Sequence, residues 1–210
     1  MVKGEIHMTI TWLGHSCFVL ESGGFRALLD PYKVVRGFPD VTAEADAVYC
    51  SHGHFDHAYT AGVSLTAGKA NPFTVKEIST FHDNDNGSLR GENIVRVFSA
   101  QGLTVVHLGD LGHLLTEKQV ADIGPCDALL LPVGGTYTID AATAKTVAEQ
   151  LASRVIIPMH YRQGDKGFLE LDTIDPFLSF FQAEQVRRYP VSRLELTADT
   201  PAQVALLAMP

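Results

Sequence analysis

Residues Ser51-His52-Gly53-His54-Phe55-Asp56-His57 bring three imidazoles and one carboxylate into six positions, in the order His-x-His-x-Asp-His. Imidazole nitrogen and carboxylate oxygen, with no thiolate among them, suit Zn, Mn or Fe rather than a structural Cys-rich zinc site. The tract is internal, interrupted by Gly53 and Phe55, and entered from the apolar run Ala45-Asp46-Ala47-Val48-Tyr49-Cys50. Those features separate it from a terminal tag or a stray surface histidine. It reads as one wall of a metal site, carried on a loop that leaves the end of a strand.

The elements that must position this wall change character along the chain. Met8 to Leu13, Cys17 to Glu21 and Phe25 to Leu29 are short β-rich runs separated by Gly14-His15 and Ser22-Gly23-Gly24, and they predict a meander ending at Asp30-Pro31. Tyr32 to Asp40 reads as a loop, and Ala58 to Leu65 as a short helix. Pro72 to Phe81 alternates like a strand and leads into the polar turn His82-Asp83-Asn84-Asp85-Asn86-Gly87. Asn93 to Ser99 and Leu103 to His107 form a hairpin aimed at Leu108-Gly109-Asp110.

Strands and helices alternate thereafter. Thr116 with Gln119 is a capping box for a helix to about Ile123, and Asp140 caps a longer one, Ala141 to Ala152. Ala128 to Val133 is apolar throughout, as in a strand buried on both faces. Val155-Ile156-Ile157 stops at Pro158 and presents His160; Gly164 to Gly167 is a loop, and Asp175-Pro176 opens a further helix. Arg193 to Leu196 and Gln203 to Leu207 close the chain as strands. Antiparallel strands followed by strand-helix alternation predict a mixed α/β domain of two sheets packed face to face with helices outside.

With 210 residues, the chain suits one domain, 1–210. A net charge of −8 argues against a basic nucleic-acid surface. Cys17, Cys50 and Cys126 are an odd count beside apolar runs, so free thiols in a reducing compartment are expected. The stretch Met1 to His7 lacks an apolar leader, and no run approaches a membrane span. These observations predict a cytoplasmic protein with no membrane partner, in which an oligomer is left open.

The polar loops, taken in order, resemble a known ligand set. His52-Gly53-His54-Phe55-Asp56-His57, His82, Asp110 in His107-Leu108-Gly109-Asp110, and His160 in Ile157-Pro158-Met159-His160-Tyr161 are similar to those of the metallo-β-lactamase fold hydrolases. Gly14-His15-Ser16, Leu108 to His113 and Pro132 to Asp140 resemble the branch that includes ascorbate-6-phosphate lactonase-like proteins. The resemblance spans nearly the whole chain and implies an α/β fold, an αββα sandwich with metals at one edge between the sheets. It also implies two divalent cations, zinc before Mn or Fe. One is held by His52, His54 and His82, the other by Asp56, His57 and His160, and Asp110 bridges them. Spacing agrees with that division. His52 and His54, two apart on an extended segment, point to one side, while Asp56-His57 turns towards a second ion. A carboxylate has two oxygens with which to join two cations, which suits Asp110.

Neutral imidazoles with only two carboxylates leave excess positive charge, which lowers the pKa of a bound water from about 15.7 to roughly 7 and yields a hydroxide nucleophile. The same charge polarises a carbonyl or phosphoryl oxygen. Asp56 and Asp110 are therefore the expected catalytic carboxylates, with His113 a candidate for substrate contact or proton donation against a surface role. His107 suits a satisfied core histidine. His15 and Asp30 are candidates to orient ligands through outer hydrogen bonds. Asp83 and Asp85 read as a solvated acidic loop. Arg90, Arg162 and Lys166 are candidates to hold an anionic substrate. Gly134-Gly135 permits close backbone approach, and Tyr137 and Tyr161 either line the pocket or pack.

The expected function is hydrolysis of a small ester, lactone or phosphorylated metabolite. A phosphodiesterase or nuclease of the same fold is the alternative, and should show a basic, salt-sensitive surface. A non-catalytic metal-binding sensor or assembly subunit is a third reading, marked by bound metal without turnover.

Overall fold

A computed structural model describes residues 7–210. Residues 1–6, most of the stretch read as lacking a leader, lie outside the described residues. The first strands form where apolar side chains alternate between two environments. In β1 (His7–Gly14), Met8, Ile10 and Trp12 face the main core. In β2 (Cys17–Ser22), Phe18 and Leu20 do the same, whereas Cys17 and Val19 join a smaller cluster on the opposite face. β3 (Phe25–Leu29) sends Ala27 and Leu29 inward and Leu28 outward.

The run Ala45 to Cys50, read as one strand, is split. β4 (Ala43–Ala45) pairs in parallel with β6 (Val63–Leu65), and β5 (Ala47–Tyr49) pairs in parallel with β3. Asp46 marks the break: its carboxylate accepts from the Arg26 backbone N–H at 2.8 Å and from Lys69 at 3.0 Å. The helix expected over Ala58 to Leu65 is reduced to a 3₁₀ turn, Thr60–Gly62, followed by β6. Gly62, Val63 and Thr66 are weak helix formers, and β4 offers their backbone an edge to pair with.

The seven-stranded sheet runs β12 (Val186–Arg188), β14 (Gln203–Leu206), β11 (Val155–Met159), β10 (Ala128–Pro132), β9 (Leu103–His107), β8 (Glu92–Ala100) and β7 (Thr74–Phe81). β12, short and doubly charged, went unread in the sequence. β13 (Arg193–Thr197) crosses to the other sheet, whose order is β13-β1-β2-β3-β5. Both sheets mix parallel and antiparallel pairs, and their inner faces enclose one large apolar core.

The described helices are few: α1 (Glu117–Ile123), α2 (Ala141–Leu151) and the single turn α3 (Asp175–Leu178). The capping box of α1 forms as expected, with Thr116 Oγ1 accepting from Gln119 N and Gln119 Oε1 accepting from Thr116 N. Asp140 accepts from Thr143 N at 2.8 Å to start α2, whose buried stripe is Ala141, Ala144, Val147, Ala148 and Leu151. α2 packs on β10 and α3, and α1 on β7 and α2. β10 is thus covered on both faces and wholly buried. On the far side of the five-stranded sheet, Tyr32, Val35 and Val41 from the loop after β3 cover Cys17, Val19 and Leu28. The expected two-sheet α/β sandwich is realised, but the helices pack on the seven-stranded sheet, and a loop rather than a helix covers this outer face of the five-stranded one. The three cysteines are unpaired, Cys17 buried and the other two half-buried. No described helix is long and apolar enough to cross a membrane.

Candidate metal centre

β9, β10 and β11 run parallel, so their carboxyl ends share one edge of the sandwich. Asp110 follows β9 and His160 follows β11 at that edge; the His52–His57 loop arrives from β5 and His82 from β7. The approach is tight enough to require glycine. A Cβ on Gly109, whose φ is +55°, would lie 2.4 Å from Asn93 Oδ1, and one on Gly134 would lie 2.1 Å from the His160 carbonyl oxygen. The close backbone approach expected at Gly134 is therefore present.

Three overlapping groups of side chains meet there, each with ligand atoms close enough to hold one ion: His52, His54 and His82; Asp56, His57 and His160 joined by His15; and His52, His57 and Asp110, which spans the first two. Asp110 lies between those two. Its Oδ2 is 3.1 Å from His57 Nε2, and 3.3 Å from both His82 Nε2 and His160 Nε2. Burial opposes ionisation of Asp110, yet the imidazoles of His160 and His57 hold it well below the usual carboxylate range. Burial alone would lower the His57 imidazole, but Asp110 and Asp30 outweigh it and push it well above its usual range.

Asp30 is the organiser behind this cluster. It is buried, and its φ of +45° places a non-glycine residue in the left-handed region. Oδ1 accepts from Ser51 N at 2.6 Å, and Oδ2 accepts from Ser51 Oγ at 2.6 Å and from His57 Nδ1 at 2.8 Å. With its hydroxyl proton given to Asp30, Ser51 Oγ accepts from His52 Nδ1 at 3.0 Å. One carboxylate therefore sets the tautomer of two histidines and leaves Nε2 of each facing the centre. His52 Nε2, His57 Nε2, both ring nitrogens of His160 and Asp110 Oδ1 are buried without a hydrogen-bond partner. Buried polar atoms seldom go unpaired. Imidazole nitrogens and a carboxylate oxygen left unpaired beside one another are a donor set that suits divalent cations.

His15, also at positive φ (+52°), donates from Nε2 to Asp56 Oδ2 at 3.2 Å. Burial and the neighbouring His160 lower its pKa to about 4, so it stays neutral and keeps the proton it donates. The outer orienting roles expected for His15 and Asp30 are thus what the contacts support. Asn93, unnoticed in the sequence, accepts from Asp110 N at 2.9 Å and donates to the Leu108 carbonyl at 2.9 Å. An amide at the start of the apolar-rich strand β8 was the available signal.

The other candidates divide. His113 is not brought to the cluster: Nε2 accepts from Phe81 N at 3.1 Å, Nδ1 donates to the Leu114 carbonyl at 2.7 Å, and the ring borders a separate depression. His107 is a satisfied core histidine, donating to the Ser16 carbonyl and accepting from Gly109 N. Asp83 is no solvated charge. It is buried and accepts from the backbone N–H groups of Asp85, Gly87, Leu89 and Arg90, which pull its pKa down to about 2 against burial. Asp85 is exposed as expected. Arg90 and Tyr137 line the cavity over the cluster. Arg162 instead binds the Leu171 and Gly164 carbonyls, Lys166 lies over Phe38, and Tyr161 is buried against Trp12.

Residues 9–160 match the family model of the β-lactamase superfamily domain. The chain is 32% identical, over 197 residues, to a UPF0173 metal-dependent hydrolase of Carboxydothermus hydrogenoformans, covering 73% of this chain and 84% of that one. This chain belongs to the UPF0173 metal-dependent hydrolases of the metallo-β-lactamase superfamily. A solved Thermotoga maritima structure, described as a zinc-dependent hydrolase of that superfamily, is 39% identical to this UPF0173 chain. It superimposes with a TM-score of 0.74 over 97% of this chain and 98% of that one. A metallo hydrolase of Ignicoccus hospitalis shares the fold at 19% identity, with a TM-score of 0.68 over 97% and 96% of the two chains. The UPF0173 protein is thus a metal-dependent hydrolase carrying a His/Asp cluster able to bind metal.

Proposed function

We propose that this single UPF0173 domain, residues 1–210, is a cytoplasmic hydrolase of a small ester, lactone or phosphorylated metabolite. It would use two divalent cations, zinc before Mn or Fe. The lactone belongs here because Gly14-His15-Ser16 and Pro132 to Asp140 resemble the lactonase-like branch. The observation that carries the reading is the ring of unpartnered His52, His57 and His160 nitrogens around Asp110. His52, His54 and His82 would hold one cation, Asp56, His57 and His160 the other, with Asp110 between.

When bound, the two cations supply Lewis acidity, which acidifies a water and polarises the substrate's carbonyl or phosphoryl oxygen. The chain's own residues do the positioning. Asp30 and Ser51 hold the protons on His57 Nδ1 and His52 Nδ1, so both Nε2 lone pairs face inward. His15 fixes one oxygen of Asp56. Asn93 anchors the Asp110 backbone and with it the central carboxylate. Asp56 and Asp110 also border the cavity, within reach of a substrate.

Elemental analysis of protein purified without added metal, paired with a screen of esters, lactones and phosphodiesters, tests the proposal. Stoichiometric metal with turnover of one class supports it. Asp110→Ala that leaves both metal content and turnover intact refutes the assignment.

A further inference from the structure

The cavity above the cluster, about 380 Å³, has walls that metal-assisted hydrolysis by itself does not explain. Three of them are aromatic and come from separate loops: Phe55 between the metal-site histidines, Tyr137 after β10, and Phe168 after β11. Phe168 meets Tyr137 edge-on at 6.2 Å and Phe55 at 6.5 Å. Phe55 remains 49% exposed. An apolar ring left half in water, facing two other rings across a concave site, is a surface made to be covered.

The fourth wall is Arg90. Among the described residues lining this cavity it alone carries a permanent positive charge. Its guanidinium lies 5.8 Å from the Tyr137 ring centre and donates one bond, at 3.2 Å, to the Thr136 carbonyl. No carboxylate pairs with it among the described residues, although the chain carries a net charge of −8. The adjacent Asp83 is spent on four backbone N–H groups, one of them that of Arg90 itself. That clamp fixes where Arg90 sits without neutralising it. Several guanidinium N–H donors are left for an oxyanion.

We propose that the substrate is an oxyanion-bearing aryl ester. Its flat ring packs among Phe55, Tyr137 and Phe168, its carboxylate or phosphate is held by Arg90, and its scissile bond faces Asp56 and Asp110. This deepens the hydrolase reading and rests on it. Hydrolysis breaks the acyl or phosphoryl bond to the leaving oxygen and adds water across it, so no redox partner is involved.

The test compares 4-acetoxybenzoate with its uncharged analogue phenyl acetate on metal-loaded wild type, Arg90→Gln and Phe168→Ala, with metal content measured in each. Arg90→Gln is expected to raise KM for 4-acetoxybenzoate roughly tenfold or more relative to phenyl acetate, as for loss of a charge-assisted hydrogen bond. Phe168→Ala is expected to raise KM for both. If Arg90→Gln shifts both esters equally, or neither, the assignment of Arg90 fails while the hydrolase reading stands. Should neither ester turn over on metal-loaded protein, calorimetry with 4-hydroxybenzoate decides. Binding weakened by Arg90→Gln supports the inference, and binding that is absent or indifferent to the substitution overturns it.

Discussion

The two groups of candidate ligands, the halves of the proposed centre, are built differently. His57 and His160 are completely buried, their neighbour His15 is 2% exposed, and His15, Asp30 and His160 all hold left-handed backbone. On the other side, His54 is exposed, His52 is half-buried, and the ring centres of His52, His54 and His82 lie 4.5–5.3 Å apart. The first group is the more enclosed and rests on left-handed backbone; in the second, His82 is buried and Ser51 orients His52, but His54 opens onto the cavity. The strain of about 1–3 kcal/mol per left-handed residue is tolerated where the surrounding structure over-determines the backbone. Positional precision is therefore concentrated in the buried half, and access in the open one.

Asp110→Ala removes the carboxylate common to both halves and should have the largest effect. Metal content is expected to fall in both, and hydrolysis by at least about 10³-fold, the scale of several kcal/mol of lost charge stabilisation. Retention of one tightly held equivalent would show the halves to be independent. Next comes Asp30→Asn, which turns an acceptor towards His57 Nδ1 into a possible donor. Metal affinity is expected to drop about 10- to 100-fold, read by competition with a chelator. His54→Ala should empty the open half first and leave the buried half loaded. If stepwise chelation instead strips both halves together, the contrast drawn between them is wrong.

The metal-free protein gives a pH signature of the buried half. Because Asp110 and Asp30 push the His57 pKa up against burial, its contribution to stability is fully present below about pH 6.5 and lost as pH rises through its folded value. Asp110 acts in the opposite direction. Its pKa is depressed, so its contribution is present above about pH 3.9 and lost as pH falls below that. Thermal melts of metal-free protein should therefore peak between those limits and decline as pH rises above the upper one, at about 2–4 °C per kcal/mol for a chain of this size. A metal held by His57 would displace the proton on that imidazole, so loaded protein should lack the alkaline decline. The smallest effect is expected for His113→Gln. Both its ring nitrogens serve backbone groups, so turnover should stay within about twofold while stability falls by about 1 kcal/mol.

Much of the candidate site was legible because side chains suited to metal ligation leave local traces. Histidines two apart after an apolar run, a carboxylate after a hairpin, and a histidine after a buried strand are each visible alone. Asp83 was harder to read. From neighbours alone it is one of several polar turn residues, and only the folded loop turns four backbone N–H groups towards it. His113 is the opposite case: close in sequence to Asp110, it is turned aside by its bonds to Phe81 and Leu114. The Ala45 to Cys50 strand broke at Asp46 because partners distant in sequence, Arg26 and Lys69, anchor that carboxylate.

Residue types and spacing alone marked imidazole and carboxylate side chains as the candidate metal ligands, and indicated that strands would carry most of the fold. Donor chemistry and two-residue periodicity are properties of short segments. Tertiary structure decided that Asp30 governs two histidines, that His15 serves Asp56, and that Arg90 rather than Arg162 or Lys166 faces the cavity. Those outcomes depend on which loops the two sheets bring to a common edge, and the pairing of strands far apart in the chain sets that edge.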